Sequence, residues 1–230
     1  MSIRGPRSGG PRPHMSKGGF AKRAVAGIYS RSARRLYEPI VVNGAFPLFG
    51  GDLHEKVHAL GRRAIDVAGG APILDLPVGT AYFTLDVARH HEGLVVGADI
   101  AAGMVQRTRA AARERGASNL IAVQADAHHL PFDNATFGAI LCINGLQVMP
   151  NLPATLEEFR RVLSPTGTLF VSTITAPIDR ALPKSATPHL PTMLRSRASL
   201  IKEFENTGFE VTRVESQRLA YWFEARRAPD

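Results

Sequence analysis

Three aspartates stand at the ends of short apolar runs. Asp75 closes Ile73-Leu74-Asp75, Asp99 closes Gly97-Ala98-Asp99, and Asp126 follows Gln124-Ala125. After the first comes Leu76-Pro77-Val78-Gly79-Thr80-Ala81, a tight turn with one glycine that opens into a helical pattern. A buried strand that ends in an acid and turns sharply into a helix brings backbone N–H groups close to a ligand at the strand's carboxyl end. Asp99 lies 20 residues beyond Gly79, where a carboxylate on the next strand end accepts both hydroxyls of a ribose. A carboxylate at Asp126 can in turn accept from the exocyclic amine of adenine. Helix capping is the ordinary role of an aspartate after a strand, but capping does not predict all three together. The pattern is that of an adenosine-type site.

The elements that must position these residues alternate in the same stretch. Apolar runs at 73–76, 94–98, 120–124, 139–143 and 168–172 read as strands, and amphipathic segments at 81–89, 102–115 and 153–163 as the connecting helices. A helix over 198–207 and strands over 210–214 and 219–225 complete a seven-stranded, mostly parallel, doubly wound α/β sheet. Upstream, 20–38 and 52–67 carry helical periodicity, the second with Asp52 and Glu55 at capping-box spacing. These two are expected to form N-terminal cap helices within residues 20–69, joined by a Gly/Pro-punctuated apolar loop over 41–51. The core is expected over 70–230, with a proline-rich lid over 175–197. Tyr29, Tyr37 and His189, in the cap and lid, are weaker site candidates.

The 230 residues are 44% hydrophobic and 21% charged, with a formal net charge of +8. That composition supports one folded domain with a sizeable core. The positive excess is local: residues 1–36 hold nine Arg and Lys and no acid, against 19 basic and 20 acidic residues in the remainder. Residues 1–19, rich in Gly, Pro, Arg and Ser, read as a mobile basic tail. The tail is a candidate for peripheral membrane contact; Met15 is an alternative start. No apolar run reaches the roughly 18 residues of a membrane span. The single Cys142 excludes a disulfide framework and a cysteine zinc site, and no metal is expected. The chain reads as a soluble, cytoplasmic protein, a monomer or a homodimer.

With these residues in place, the sequence resembles the class I S-adenosylmethionine-dependent methyltransferases, and most closely the small-molecule branch of ubiquinone and menaquinone biosynthesis methyltransferases. The glycine-rich motif matches LDLPVGTA, the ribose acid GADI, and the adenine-side acid QADAHHLPFDNATFGAI. The turn after the helix over 153–163 matches VLSPTGTL. The resemblance implies a Rossmann-like methyltransferase fold, with S-adenosyl-L-methionine as cofactor and S-adenosyl-L-homocysteine as product. It assigns Asp75 and Gly79 to the methionine end, with Pro77 and Thr80 among the cofactor-binding residues, and Asp99 to the ribose. Ile100 and Met104 would sandwich the adenine, Asp126 and Ala127 read its edge, and Asn144 close over the methionine end and face the substrate. Pro77 and Ala81 replace two of the family's glycines, removing one donor and narrowing one approach to the ligand.

The expected reaction is methyl transfer to a small apolar or aromatic molecule in a water-excluded pocket. His128 and His129, in the loop after the third strand, are the candidate general bases. An RNA methyltransferase that uses the basic tail is the first alternative. The Pro-Pro-aromatic run of amine methylation is replaced by Asn144-Gly145-Leu146-Gln147, which disfavours nucleic acid as a partner. A cofactor-binding, non-catalytic homologue is the second.

Overall fold

A computed structural model describes residues 53–175 and 192–229. The expected basic tail, the helix over 20–38, the loop over 41–51, and Tyr29, Tyr37 and His189 lie outside the described residues, as do 176–191 of the expected lid.

In chain order the elements are α1 (Leu53–Ala68), β1 (Ile73–Asp75), α2 (Thr84–His90), β2 (Val95–Asp99), α3 (Ala102–Glu114), β3 (Leu120–Gln124), β4 (Phe137–Ile143), α4 (Leu152–Val162), β5 (Leu163–Ile174), α5 (Arg197–Asn206), β6 (Phe209–Gln217) and β7 (Ala220–Arg227). Single 3-10 turns occupy Leu146–Val148 and Thr192–Leu194. The strands form one sheet in the order β3-β2-β1-β4-β5-β7-β6, parallel through β5 and antiparallel at β7.

Alternation along the strands divides the core. Leu74, Val96, Ile140 and Cys142 face a layer built with Leu156 and Phe159 of α4 and Phe204 of α5. Ile73, Val95, Ala139 and Leu141 face the opposite layer with Val57, Leu60 and Ala64 of α1 and Leu85 of α2. A parallel sheet covered on both faces needs apolar residues at successive positions, which is why these strands read as continuous runs. α1 covers the sheet, its apolar stripe spent on the core. Ion pairs between Lys56 and Glu215 and between Arg63 and Glu224, each at 2.6 Å, tie it to the β6–β7 hairpin.

The helix expected from Ala81 starts three residues later, at Thr84. Ala81 has φ +63° and its N–H closes a turn onto Val78 O at 3.0 Å, a left-handed residue that a right-handed helix cannot include. The next segments follow their expected bounds closely. α4 begins at Leu152, where Asn151 caps it by accepting from Ala154 N. The expected Ser164–Gly167 turn lies within β5, since Leu163 already pairs with Phe137 before a register shift to Ala139–Thr168.

Candidate cofactor-binding site

The chain runs outward from β1 to β2 and β3, then returns to place β4 on the other side of β1. The crevice between β1 and β4 is thus the topological switch point, where open α/β sheets bind ligands. Asp75 ends β1 on one side of it, and Asn144 follows β4 on the other.

Register sets the three acids in a staircase. Asp75 pairs with Gly97 and Asp99 with Gln124, so each acid lies two residues beyond its neighbour, about 7 Å further along the strand direction. None caps a helix: α2 and α3 are preceded by Phe83 and Ala101, without a side-chain cap.

Asp75 is buried. Its Oδ2 accepts from the Thr84 hydroxyl at the start of α2, while Oδ1, also buried, has no hydrogen-bond partner among the described residues. Burial, reinforced by the charge of Asp99 and opposed by the Thr84 bond, pushes its carboxyl up to about 7. Asp99 is buried as well, its Oδ1 accepting from Ala101 N at 2.8 Å and Oδ2 from Gly79 N at 3.1 Å. Burial raises this carboxyl too, against the N–H groups of Ala101, Gly79 and Ile100. A pair of buried acids, each held above its ordinary value, makes a site suited to a positive charge.

The turn between Asp75 and Thr84 is fixed by backbone bonds. Val78 N donates to Ala98 O at 2.8 Å and the Thr108 hydroxyl to Gly79 O at 3.3 Å. The Gly79 N–H, expected to face a ligand, is engaged by Asp99. What Gly79 contributes is space: φ is +55° and an added Cβ would meet nothing within 4 Å. Thr80 is buried beside it. The Pro77 ring lies where a Gly145 side chain would be, its Cδ the nearest atom to that ideal Cβ position. This contact joins the turn to the segment after Asn144, and a larger residue at 145 could not coexist with Pro77.

Ile100 is 37% exposed, its carbonyl held by Gln124 Nε2 at 3.0 Å, whereas Met104 is buried against Ala101. Asp126 accepts from His128 N at 3.1 Å, and Ala127 lies partly buried beside it. The His128 ring spans from Asp126 Oδ1 (Nδ1, 3.2 Å) to Asn151 O (Nε2, 3.2 Å). These two contacts hold the ring between the loop after β3 and the start of α4. His129 is exposed. Asn144, at φ +50°, donates its N–H to Ser172 O at 2.7 Å and accepts from the Ser172 hydroxyl at 3.3 Å. Cys142 is fully buried, and burial raises its thiol well above the ordinary range.

Some residues that shape the site are not visible in the motif pattern. Thr84 is one, recognisable only as a hydroxyl at the start of a helix. A second is the Glu158–Arg161 pair on α4: Glu158 accepts from Leu130 N, and Arg161 donates to Leu130 O at 2.9 Å and Phe132 O at 2.8 Å. Together they clamp the Leu-Pro-Phe run that follows Asp126. Among the described residues no cluster of three or more His, Cys, Asp or Glu could hold a metal ion, and no helix is long and apolar enough to cross a membrane.

Residues 73–167 match the model of a methyltransferase domain family. The chain is 36% identical over 133 residues to a ubiquinone/menaquinone biosynthesis C-methyltransferase of Idiomarina loihiensis, covering 55% of this chain and 53% of that protein. It is 31% identical over 116 residues to the demethylmenaquinone methyltransferase of Bacillus subtilis, half of each chain. It thus spans about half the length of the curated relatives it matches. A SAM-dependent methyltransferase of Aquifex aeolicus shares the fold with TM-score 0.61 at 19% identity, over 78% of this chain and 94% of that one. The [4+2]-cyclase SpnF shares it with TM-score 0.66 at 20% identity, over 76% and 82%. Motif order, strand order and domain match agree: residues 73–167 carry a methyltransferase domain that resembles the class I S-adenosylmethionine-dependent methyltransferases.

Proposed function

We propose that the protein binds S-adenosyl-L-methionine at the β1–β4 crevice and transfers its methyl group to a small aromatic or quinoid molecule. The observation that carries this reading is Asp75: a buried carboxyl with one oxygen unpartnered among the described residues, at the switch point and beside a glycine with open space above it. An ammonium group placed there would satisfy that oxygen and favour the ionised acid.

When bound, the cofactor supplies an electrophilic methyl group on a positively charged sulfur. Asp75 holds the amino-acid end, Asp99 accepts the ribose hydroxyls while keeping its two backbone donors, and Asp126 reads the adenine edge from the loop that His128 pins to Asn151. Ile100 offers the exposed apolar surface for the adenine face; Met104 is buried against Ala101. Asn144 faces the acceptor. The chemistry the cofactor would supply is transfer of that methyl from sulfur to a nucleophilic atom of the acceptor, whose proton would go to solvent or to His129. Alignment of the three atoms can contribute about 7–11 kcal/mol, so a dedicated base is not required.

The quinoid class follows the relatives' names, and the near-neutral charge of residues 37–230 fits it better than it fits nucleic acid. The fold does not dictate the reaction, as the cyclase among its structural neighbours illustrates. Calorimetry of S-adenosyl-L-homocysteine with wild type and Asp99→Ala tests the site. Loss of two charge-assisted hydrogen bonds weakens binding about a hundredfold or more, and unchanged affinity would remove the ribose assignment. Transfer of isotopically labelled methyl to naphthoquinols, read by mass spectrometry, tests the reaction.

A further inference from the structure

The connection from Ala68 to Ile73 is short, so α1 runs against β1 and its first turns lie at the carboxyl edge of the sheet. α2 starts at the same edge. Two histidines of α1 and two aromatic residues on the approach to α2 meet there.

His54 lies 5.1 Å from His58, 5.2 Å from Tyr82 and 5.4 Å from Phe83, centroid to centroid. His58 is 5.3 Å from Phe83, and Tyr82 meets Phe83 edge-to-face at 5.0 Å. Separations and tilts of this kind are those of attractive ring pairs. The cluster is braced from below: His58 Nδ1 contacts Asp86 Oδ2 at 2.9 Å, and Phe83 packs on the same core layer as Ile143 and Ile174. Above, Tyr82 remains 43% exposed. Burial and the neighbouring His58 both lower the His54 imidazole from its ordinary value, so at neutral pH it is a flat, uncharged ring.

Tyr82 directly follows the Gly79–Ala81 turn, and the residue after Phe83 is Thr84, the donor to Asp75. His54 and His58 lie outside the 73–167 stretch that matches the methyltransferase domain family. Nothing in the cofactor site requires them.

We propose that Tyr82 and His54, braced by Phe83 and the His58–Asp86 pair, form a ring-stacking wall that recognises a flat aromatic or quinoid acceptor beside the cofactor turn. The proposal rests on the methyl-transfer reading for the identity of the neighbouring site. It assigns substrate choice to the start of α1, a segment set apart from the nucleotide-binding motifs.

Anaerobic titration calorimetry with naphthoquinol, with and without S-adenosyl-L-homocysteine, tests it, using the saturated decalindiol as the control for polarity. The wild type should bind naphthoquinol and discriminate against decalindiol. Tyr82→Ala and His54→Ala should each weaken naphthoquinol about tenfold. Tyr82→Phe and His54→Phe should stay within about threefold, and S-adenosyl-L-homocysteine affinity should be unchanged in all four. Equal affinity for the flat and the saturated diol, or alanine variants that bind naphthoquinol like the wild type, would overturn the wall. If the wild type failed to bind the cofactor product while the naphthoquinol pattern held, the methyl-transfer reading would fall and the wall would stand.

Discussion

Replacing Asp75 by asparagine should make the unliganded protein more stable at alkaline pH while weakening cofactor binding. The folded state holds this carboxyl at about 7 against an ordinary 3.8, so between those values the folded chain keeps a proton that the unfolded chain gives up. Stability therefore falls as pH rises through that window. The loss is complete above about pH 7, at roughly 4 kcal/mol, given about 1.4 kcal/mol per pH unit of separation. An asparagine side chain does not titrate, so the variant escapes this loss. Its amide, however, places an N–H where Oδ1 has no partner among the described residues, at a cost of about 1–3 kcal/mol. Below pH 4 the variant should be the less stable protein; at pH 8 it should be the more stable by about 1–3 kcal/mol. Urea midpoints of both proteins from pH 4 to 8.5 measure the crossing, and the comparison cancels the titrating groups that do not interact with Asp75. Parallel curves would refute the burial argument. Wild-type binding of S-adenosyl-L-homocysteine should strengthen as pH rises towards 7 and should release a proton, seen by calorimetry in buffers of different ionisation enthalpy. Asp75→Asn should show neither, with affinity lower by about tenfold or more.

Three further outcomes follow from contacts around the same edge. In Gly97→Ala the new Cβ would lie 2.6 Å from Val78 Cγ2; the variant should lose about 1–3 kcal/mol by urea denaturation, and adding Val78→Ala should recover most of it. Gly145→Ala should drive Pro77 out of place, costing about 1–3 kcal/mol or more and, unlike Gly97→Ala with Val78→Ala, should weaken the cofactor product in calorimetry. Arg161→Met removes the donors to Leu130 O and Phe132 O and leaves Glu158 without its cation, for about 2–4 kcal/mol. Arg161 holds the Glu158 carboxyl below its ordinary value, so that part of the wild-type advantage is present above about pH 4.5 and is lost as pH falls through the depressed value. The Arg161→Met deficit, followed by thermal melting, should accordingly narrow in acid.

Local chemistry is enough to reveal the strands, because a parallel sheet covered on both faces demands apolar residues at every position, and Ile73–Leu74, Val95–Val96 and Ala139–Ile143 supply them. The order of Asp75, Gly79, Asp99 and Asp126 likewise follows from the chain alone, since each ends or follows a strand that must point the same way. Helix starts are harder to place. Ala81 takes a left-handed conformation that no propensity for alanine would suggest, and it holds α2 back to Thr84. The fate of α1 is also beyond the periodicity: an apolar stripe specifies that a helix is covered, not by what, and the sheet claims Val57, Leu60 and Ala64.

The sequence by itself determined the class of the domain, the sheet-forming segments and the acids of the candidate site, all of which depend on spacing and hydrophobic period within a few tens of residues. Only the tertiary structure decided how those acids are used. Burial raises Asp75, Gly79 spends its N–H on Asp99, and His128 is drawn between Asp126 and Asn151. His54 and His58 come to Tyr82 and Phe83 across more than 20 residues of chain. Desolvation and cross-element contact arise only when the layers close, and no local pattern encodes which atoms will then face one another.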